Sequence, residues 1–447
     1  MYRLSVERLE AEVPFACKWV IDAPTEQSQV SLQALQNSVD FRAWLATPHN
    51  PKVVPYLKGE SERIELKFSE KRGDVHSFLK AHGPELSGQS CYGIQQAIKM
   101  NEPVFKFGFH YNGQDYDLAR ISIIGTLDIL KGPEGWLFLN NDSNGSVDQY
   151  QGKRLLSWPL RVAWHWYFRT LVKLSKRARL PTVFLIAPSK EMVVSEFYPH
   201  QKGQNSPVQQ VCGIARSHGQ PLVYPESLLR VMEPRSFRKG DTHWALAGAR
   251  AAWLDCVAKL GLPLEPLKTL FNSDQYEERP HLGDLGNKVY PPIRTPELVL
   301  LGYSYRQHVI FDNHLPNFGR VLVTHNSEAV FKKRLLVFGS SSCYSMLHYV
   351  VRSFAEVVFV HSAGNVDASF TRLVEPDYLV LQSNGRFLVK PASFRYRVVD
   401  DVQAKWQRLS PKEQAYIQEQ ANRYPLERLP EWLAPIVKLV SAADHDA

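Results

Sequence analysis

The amino-acid sequence predicts an α/β protein in which a parallel sheet flanked by helices follows an N-terminal domain that resembles a β-sandwich. Over about the first 125 residues, apolar and polar residues alternate in short runs, which is typical of half-buried antiparallel strands. From about residue 126 onward, continuous apolar runs alternate with helical segments, as in sheets buried on both faces. A chain of 447 residues is longer than one small core usually needs, so two domains are expected.

The alternating runs of the first part are separated by polar turns. They cover residues 64–68, 104–109 and 119–124, and residues 111–115 form a polar turn between two of them. The sequence of this part has no cluster of histidine, cysteine or carboxylate residues that suggests chemistry. We therefore predict that residues 1–125 form a β-rich accessory domain of a carbohydrate-binding-like kind.

The second part, residues 126–400, is predicted to be the catalytic α/β domain, and residues 401–447 a C-terminal helical brace. Thr182–Ala187 is a continuous apolar run closed by a proline, as expected of a buried parallel strand. The other predicted elements are strands at 136–139, 334–338, 356–360 and 377–381, helices at 154–178 and 243–260, and an irregular Pro-rich stretch around 262–296.

The composition bears on the partners of the protein. The chain has 53 Lys and Arg against 45 Asp and Glu, a net charge of +8 with no long basic block. This excess favours an anionic partner, such as an acidic glycan, a coenzyme phosphate or a membrane surface. It does not establish nucleic-acid binding, and the sequence shows no basic-aromatic stripe of an RNA-binding kind.

Cysteine usage and the N-terminus bear on the compartment. The N-terminal residues include charges where a signal peptide has an apolar core, and no window reaches the roughly 18 apolar residues of a membrane span. We therefore expect a cytoplasmic protein without a transmembrane segment. The thiols are expected to be reduced, because they are odd in number and widely spaced, at Cys17, Cys91, Cys212, Cys256 and Cys343.

The segment Asp241–Trp244 precedes a predicted helix and is the first candidate for chemistry. An Asp in this place often caps a helix, and by itself it proves nothing more. In a turn, however, Asp241 can fold back onto the imidazole of His243, orient it through Nδ1 and leave Nε2 free to accept a proton. His243 is thus a candidate general base and Asp241 its orienting carboxylate.

The segment Gly339–Ser342 follows an apolar run and supplies the candidate nucleophile. Turn and cap chemistry also explains a Gly-Ser-Ser sequence before a helix. A serine at the carboxyl end of a parallel strand, however, lies where open α/β sheets bind their ligands. Ser341 is the preferred nucleophile, with Ser340 and Ser342 as alternatives.

Four further residues are candidates for binding the oxyanion or the substrate. Asn384 follows an apolar run, where its side-chain amide could donate to an oxyanion, and Gly364 could offer a backbone N–H group. Ser342 and Trp244 adjoin the nucleophile and the base. The sequence has no Walker-type GxxxxGK[ST], no HExxH and no GxGxxG after a strand, so P-loop, zincin and dinucleotide-binding functions are set aside, and no metal site is predicted.

With these motifs assembled, residues 130–390 resemble the alginate O-acetyltransferase group of SGNH-hydrolase-like proteins. The order of the motifs is specific, because the Asp-x-His block precedes the Ser block, whereas ordinary SGNH hydrolases have the serine block first. The matching segments are Gly135–Leu139, Tyr150–Gly152, Phe184–Lys190, Tyr198–Pro199, Asp241–Trp244, Gly248–Ala249, Gly339–Ser341 and Arg386–Leu388. Ser340 stands where the group usually has Asp or Thr, and residues 1–125 lie outside the resemblance.

The resemblance implies an SGNH-like fold and O-acyl transfer, in particular O-acetyl transfer, to glycan hydroxyls through a serine acyl-enzyme. It implies a polysaccharide or oligosaccharide substrate, no bound cofactor, and acetyl-CoA or an acylated partner as the acyl donor. A membrane acyl-transfer partner and a periplasmic or cell-envelope location would follow if the protein is exported, as members of the group are.

Two other functions stay open from the sequence. A carbohydrate esterase, which removes acetyl groups, would use the same three residues with water as the acceptor. A glycan-binding assembly protein would retain the three residues without using them in catalysis.

Overall fold

The computed structural model describes residues 1–25, 28–47, 52–82, 92–125, 128–425, 427 and 429–440. Cys91 and residues 441–447, which were predicted to be part of the helical brace, lie outside the described residues. The structure is a mixed α/β protein with several sheets. It divides into two compact units, one formed by Met1–Ile129 with Asp284–Ile293 and the other by Leu130–Gly283 with Arg294–Ala447.

The first unit contains two antiparallel sheets. Their strand orders are β3-β1-β10-β9-β5-β6 and β2-β4-β8-β7. The elements are β1 (Tyr2–Arg8), β2 (Lys18–Ala23), β3 (Gln29–Val30), α1 (Leu32–Asn37), β4 (Val39–Ala46), β5 (Val54–Lys58), β6 (Arg63–Glu65), β7 (Phe68–Lys71), α2 (Gly73–His82), β8 (Tyr92–Ile98), β9 (Val104–Tyr111) and β10 (Gln114–Gly125).

The two sheets of the first unit share one hydrophobic cluster. Phe107 of β9 lies 5.9 Å, between ring centroids, from both Trp19 of β2 and Phe41 of β4. Alternate residues of each strand reach this cluster because side chains on a strand point to opposite faces in turn. The predicted run 64–68 is split between β6 and β7, which belong to different sheets.

One segment of the predicted catalytic domain, residues 284–293, belongs to the first unit instead. The reason is aromatic packing and hydrogen bonding that the linear pattern does not reveal. The ring of Tyr290 lies 5.2 Å from that of Tyr2, and its hydroxyl donates to the carbonyl of Met100 at 2.6 Å. The hydroxyl of Tyr2 in turn donates to the carbonyl of Asn287 at 2.8 Å.

Within its described residues, the second unit contains a seven-stranded sheet, two helices of fourteen or more residues and several shorter helices. Its elements follow in chain order: β11 (Ile129–Lys131), β12 (Leu137–Leu139), α3 (Ser146–Tyr150), α4 (Trp158–Ala178), β13 (Thr182–Ala187), α5 (Lys190–Val193), α6 (Pro207–Ser217), β14 (Leu222–Val223), α7 (Glu226–Arg230), α8 (Leu246–Lys259), α9 (Glu265–Asn272), β15 (Tyr276–His281), β16 (Thr295–Leu300), β17 (Val309–Asp312), β18 (Val321–His325), β19 (Phe331–Gly339), α10 (Cys343–Ser353), β20 (Phe354–His361), α11 (Ala368–Val374), β21 (Tyr378–Asn384), α12 (Val398–Trp406), α13 (Pro411–Ala421) and α14 (Ala434–Val440).

The large sheet has the strand order β14-β13-β21-β19-β20-β18-β17. The five strands from β14 to β20 are parallel, and β18 and β17 add an antiparallel pair at one edge. The prediction of a parallel sheet therefore holds for the centre and not for this edge. The antiparallel pair matters for the site, because it places a hairpin turn beside the carboxyl end of β20.

The sheet separates two hydrophobic clusters, as expected of strands that are apolar on both faces. Leu335 and Val337 of β19 belong to one cluster, and Leu336 and Phe338 to the other. The first cluster contains side chains of α8, α9 and α10, and the second those of α4, α6 and α11 to α14. Helices thus cover both faces, and the C-terminal helices are part of the second cluster.

Two predicted boundaries around the site were wrong. The helix predicted at 243–260 begins at Leu246, because the preceding residues pair with the chain before them: Trp244 forms a β-bridge with Phe237, and the N–H of Ala245 donates to the carbonyl of Ser236 at 2.8 Å. The stretch predicted to be irregular contains α9 and β15. No helix among the described residues is long and apolar enough to cross a membrane.

Candidate active site

The candidate residues lie where three neighbouring parallel strands end. Ser341 lies two residues beyond the end of β19, His361 is the last residue of β20, and Asn384 is the last residue of β21. The registers of β19 with β20 and of β19 with β21 put these ends at one edge of the sheet. Open α/β sheets bind ligands at this edge.

The three consecutive serines after β19 have different surroundings. The buried hydroxyl of Ser340 donates to Gln382 Oε1 at 2.7 Å, and that of Ser342 donates to Asn384 Oδ1 at 2.8 Å. The hydroxyl of Ser341, which is only half-buried, lies 2.8 Å from Nε2 of His243. Of the three alternatives, Ser341 is therefore the one whose hydroxyl meets the imidazole.

The imidazole of His243 lies between Ser341 and Asp241. Nδ1 is 2.6 Å from Oδ1 of Asp241, and the same oxygen accepts the backbone N–H of His243 at 2.9 Å. This double contact fixes the ring, and the carboxylate selects the tautomer that carries its proton on Nδ1. Nε2 is then an acceptor for the serine hydroxyl.

A buried lysine, whose role sequence reasoning missed, holds the turn that carries Asp241. The ammonium of Lys190 donates to the carbonyls of Arg238, Lys239 and Asp241 at 3.0, 2.9 and 2.9 Å. It also lies 5.2 Å from the ring centroid of Trp136 and 5.0 Å from that of Phe138. Lys190 thus connects the segment Gly135–Leu139, through Trp136 and Phe138, with the turn that carries Asp241, and it supports that turn.

Asp241 is ionised in spite of its burial. Burial alone would raise the pKa of this carboxyl, but hydrogen bonds from His243 and from His281, whose Nε2 lies 3.3 Å from Oδ2, outweigh it and hold the pKa well below its usual range. Arg238 adds a cation 3.8 Å from the same oxygen. His281 and Arg238 carry no motif in the sequence, since their contacts with Asp241 arise only in the fold.

Asn384 and Gln382 form a polar network beneath the turn that carries Ser341. Oδ1 of Asn384 accepts from the hydroxyls of Ser340 and Ser342 and, at 3.0 Å, from Nε2 of Gln382. This orientation points the amide nitrogen of Asn384 away from those serines. Gln382 Oε1 accepts the N–H of Ser340 at 2.7 Å and the thiol of Cys343 at 3.3 Å.

Trp244 and Ser342 help to join the turn that carries His243 to the turn that carries Ser341. The indole Nε1 of Trp244 donates to the carbonyl of Ser342 at 2.8 Å, and the ring is only 1% exposed. Trp244 therefore has no open face for a substrate, contrary to the expectation that it binds one. Its contact instead ties the His243 turn to the Ser341 turn.

Gly364 lies in a loop that folds over the end of β19. The N–H groups of Ser362 and Ala363 both donate to the carbonyl of Gly339, at 2.8 and 2.7 Å. Gly364 has a φ of +89° and its carbonyl accepts from the hydroxyl of Tyr167 at 2.6 Å. Within the described part of the chain, the backbone N–H groups of Gly364 and Ser341 have no acceptor.

A second histidine lies beside the site and was missed by sequence reasoning. His361 is 3% exposed, and burial together with Arg320 and His243 lowers its pKa to about 4, so it is neutral near pH 7. Its Nδ1 lies 3.1 Å from the hydroxyl of Tyr344. On its other side it contacts the ring of Phe318, 43% exposed, at 5.4 Å between centroids.

The β17–β18 hairpin brings Phe318 to this edge. The N–H of Gly319 donates to the carbonyl of His361 at 3.1 Å, and the N–H of His361 donates to the carbonyl of Arg320 at 2.8 Å. Arg320 is held by Asp312, whose carboxylate accepts from its Nε at 3.0 Å and from its terminal nitrogen at 2.5 Å. The hairpin thus places the ring of Phe318 beside His361 and the guanidinium group of Arg320 over the ring of Tyr344, 5.2 Å from its centroid.

Comparisons with known proteins give structural likenesses at low identity. No family model and no curated protein matches the sequence. Among solved structures, the O-acetyltransferase domain of Pseudomonas putida AlgJ is 13% identical, with a TM-score of 0.38 over 66% of this chain and 99% of that chain. Bacillus cereus PatB1 with a sulfonyl adduct is 12% identical, with a TM-score of 0.45 over 60% of this chain and 99% of that chain. Pseudomonas aeruginosa AlgX is 14% identical, with a TM-score of 0.34 over 59% of this chain and 63% of that chain.

Proposed function

We propose that this protein is an O-acyltransferase, in particular an O-acetyltransferase, that modifies glycan hydroxyls through an acyl-enzyme on Ser341. The observation that carries the proposal is the continuous set of hydrogen bonds from the carboxylate of Asp241 through both nitrogens of His243 to the hydroxyl of Ser341. A serine hydroxyl is a weak nucleophile until a positioned base takes its proton. The sequence resemblance described above supports the acyl group and the glycan acceptor.

In the first half-reaction, the Oγ of Ser341 attacks the carbonyl carbon of the acyl donor while Nε2 of His243 takes the hydroxyl proton. The electron pair of the carbonyl moves to its oxygen and gives a tetrahedral oxyanion. When this intermediate collapses, the bond to the leaving group breaks, and the imidazolium returns the proton to that group. Asp241 stabilises the imidazolium throughout, because its carboxylate stays ionised.

The oxyanion would be held by backbone N–H groups near the nucleophile. Those of Ser341 and Gly364 have no acceptor among the residues described by the structure, and α10 begins two residues after Ser341. Donors of this kind stabilise charge that develops only in the transition state. The side chain of Asn384 supports the turn in the present geometry, so we assign it a positioning role beside its predicted role as a donor.

In the second half-reaction, a sugar hydroxyl enters in place of the leaving group. His243 takes its proton, the sugar oxygen attacks the acyl carbon, and the bond to Ser341 Oγ breaks as the serine regains a proton. Phe318 offers the exposed ring on which the apolar face of a sugar would lie, because it adjoins His361 at the same edge of the sheet. The donor, acetyl-CoA or an acylated partner, would use the same serine.

A serine-reactive fluorophosphonate probe tests the nucleophile. We expect the probe to label the wild-type protein at Ser341, and we expect Ser341→Ala and His243→Ala to lose almost all labelling and turnover, since groups of such a triad act as a unit. Peptide mapping by mass spectrometry identifies the labelled residue.

Ser342→Ala is the matched control, because it removes a neighbouring hydroxyl that is turned toward Asn384 and away from His243. Labelling of wild type and Ser341→Ala alike would contradict the proposal. Once labelling is established, the acceptor is tested by mass spectrometry of acetylated oligosaccharides with an activated acetyl ester as donor. Release of free acetate alone, with no sugar ester in the presence of excess oligosaccharide, would make the protein an esterase.

A further inference from the structure

The face of α4 that points away from the sheet carries exposed aromatic and aliphatic side chains which the proposed reaction does not use. Trp158 is 74% exposed, Val162 44% and Trp166 53%. They are spaced at four-residue intervals, so they form one stripe along the first turns of the helix. Trp164 and Phe168, fully buried on the opposite face, anchor the helix to the core of the second unit.

The same segment concentrates positive charge. No Asp or Glu occurs between Lys153 and Arg179, while eight Lys and Arg do. None of these eight forms an ion pair within the described residues. The rest of the chain then has 53 − 8 = 45 Lys and Arg against 45 Asp and Glu, so the net excess of +8 falls within this segment. The eight are Lys153, Arg154, Arg161, Arg169, Lys173, Lys176, Arg177 and Arg179.

Three of the basic side chains lie on the same face of the helix as the apolar ones. At about 100° per residue, Arg169, Lys173 and Lys176 project in nearly the same direction as Trp158 and Val162. All five are exposed. The face therefore combines apolar side chains, for which burial away from water is favourable, with cationic side chains, which are attracted to negative charge.

We propose that α4 binds the surface of a membrane that contains anionic lipids, with its axis parallel to the membrane plane. Charge complementarity identifies the occupant as anionic, because eight cations without a counter-charge attract a surface rich in phosphate groups. The Trp and aliphatic residues identify it as a lipid surface, since they would insert at the boundary between head groups and acyl chains.

Leu155 and Val162 decide against a soluble polyanion. Leu155 is 41% exposed and precedes the helix on the same segment. Aliphatic side chains gain nothing by stacking on a base or a sugar, whereas they gain free energy in a hydrocarbon environment. With 21 residues, α4 is about 31 Å long, but its charges prevent it from crossing the bilayer, so it lies on the surface.

Vesicle co-sedimentation of the full chain tests the proposal. We expect binding to phosphatidylcholine vesicles that contain phosphatidylglycerol, little binding to phosphatidylcholine alone, and release at high salt. Brominated lipids provide a second readout, because Trp158 and Trp166 are exposed whereas Trp164, Trp244 and Trp253 are at most 1% exposed. Because Trp406 and Trp432 are also partly exposed, quenching of tryptophan fluorescence is assigned to α4 when it is lost on substitution of Trp158 and Trp166 by Phe.

Two pairs of substitutions separate the apolar and the charged contributions. Trp158→Ser with Val162→Ser should weaken binding to anionic vesicles by about tenfold or more, through loss of apolar burial. Arg169→Gln with Lys173→Gln should weaken it by about fivefold for each charge. Tyr416→Ser is the matched control, because this aromatic residue is 60% exposed on α13.

All variants are compared at equal folded fraction, measured by circular dichroism. Failure of the wild-type protein to bind anionic vesicles at low salt would overturn the proposal. The proposal would also be overturned by a second pair of results. These are vesicle binding that survives the Trp158 and Val162 substitutions, and binding to single-stranded DNA or polygalacturonate that is lost with the Arg169 and Lys173 substitutions. Labelling of Ser341 by the serine probe is unaffected in either case, so the outcome is independent of the proposed reaction.

Discussion

At the scale of single residues, the carboxylate of Asp241 is the most constrained group of the candidate site. It is 5% exposed and accepts hydrogen bonds from His243 through both a backbone and a ring nitrogen, and from His281 through a ring nitrogen. A buried carboxylate is stable only when such donors replace water. The arrangement leaves the charge in place and makes His243 Nε2 an acceptor.

Substitution of Asp241 by Asn tests this role. The side chain keeps its size, but its neutral amide no longer stabilises the imidazolium and can select the wrong tautomer of His243. If the proposed reaction is correct, we expect kcat for acyl transfer to fall by roughly 10⁴-fold, the loss found for the same change in a known serine triad, with the fold retained. Asp255→Asn on α8 is the control, and steady-state kinetics of both variants make the comparison. A loss of less than tenfold for Asp241→Asn would show that the carboxylate does not orient the base.

At the scale of the elements, the close approach of α8 to the preceding chain holds the His243 turn in place. A Cβ atom on Gly248 would lie 2.3 Å from the backbone carbonyl oxygen of Ser236. The same carbonyl accepts the N–H of Ala245 and thereby closes the turn that carries Asp241 and His243. The small residue at the start of α8 is therefore required by packing and not by helix propensity.

Two Gly-to-Ala substitutions in helices should have opposite effects. Gly248→Ala should lower the free energy of unfolding by about 1–3 kcal/mol, because the helix must move away from Ser236. Gly213→Ala on α6 meets no atom within 4 Å and should raise it by up to about 1 kcal/mol through helix propensity. Urea unfolding monitored by circular dichroism gives both values, and serine labelling should decrease only for Gly248→Ala. Equal stability changes in the two variants would refute the packing argument.

At the scale of the whole molecule, buried neutral histidines should make stability depend on pH. Burial, with nearby arginines, lowers the pKa of both His348 and His361 to about 4. In the unfolded chain a histidine binds a proton near pH 6.5. Between about pH 6.5 and pH 4 the unfolded state therefore binds more protons than the folded state, so stability decreases as the pH falls. Asp241 does not oppose this trend, because its depressed pKa affects stability only below about pH 4.

Removal of one of these histidines should reduce the pH dependence. For His361→Asn we expect the slope of unfolding free energy against pH, between about pH 6.5 and 5, to decrease by up to about 1.4 kcal/mol per pH unit. Urea unfolding at several pH values measures the slope. His82→Asn, at an exposed position of α2, is the control and should keep the wild-type slope. An unchanged slope for His361→Asn would mean that His361 is protonated in the folded protein.

Much of the fold and part of the site could be predicted because they depend on local patterns. The run Thr182–Ala187 is β13 with the same bounds, since a wholly apolar segment of that length between a helix and a proline has few other stable conformations. Residues 284–293 were assigned to the wrong domain, because their contacts with Tyr2 and Met100 are made with residues more than 180 positions away. The start of α8 was misplaced for a similar reason, the bridge between Phe237 and Trp244.

The sequence by itself determined which chemical groups are present and in which order: a carboxylate two residues from an imidazole, and a serine turn after a buried strand. Such features depend on neighbours along the chain, where spacing limits geometry. Only the tertiary structure decided that Ser341, and not Ser340 or Ser342, faces His243, because the other two hydroxyls are held by Gln382 and Asn384 from another strand. It alone also decided that one face of α4 is left exposed, since burial depends on what packs against a helix and not on the helix itself.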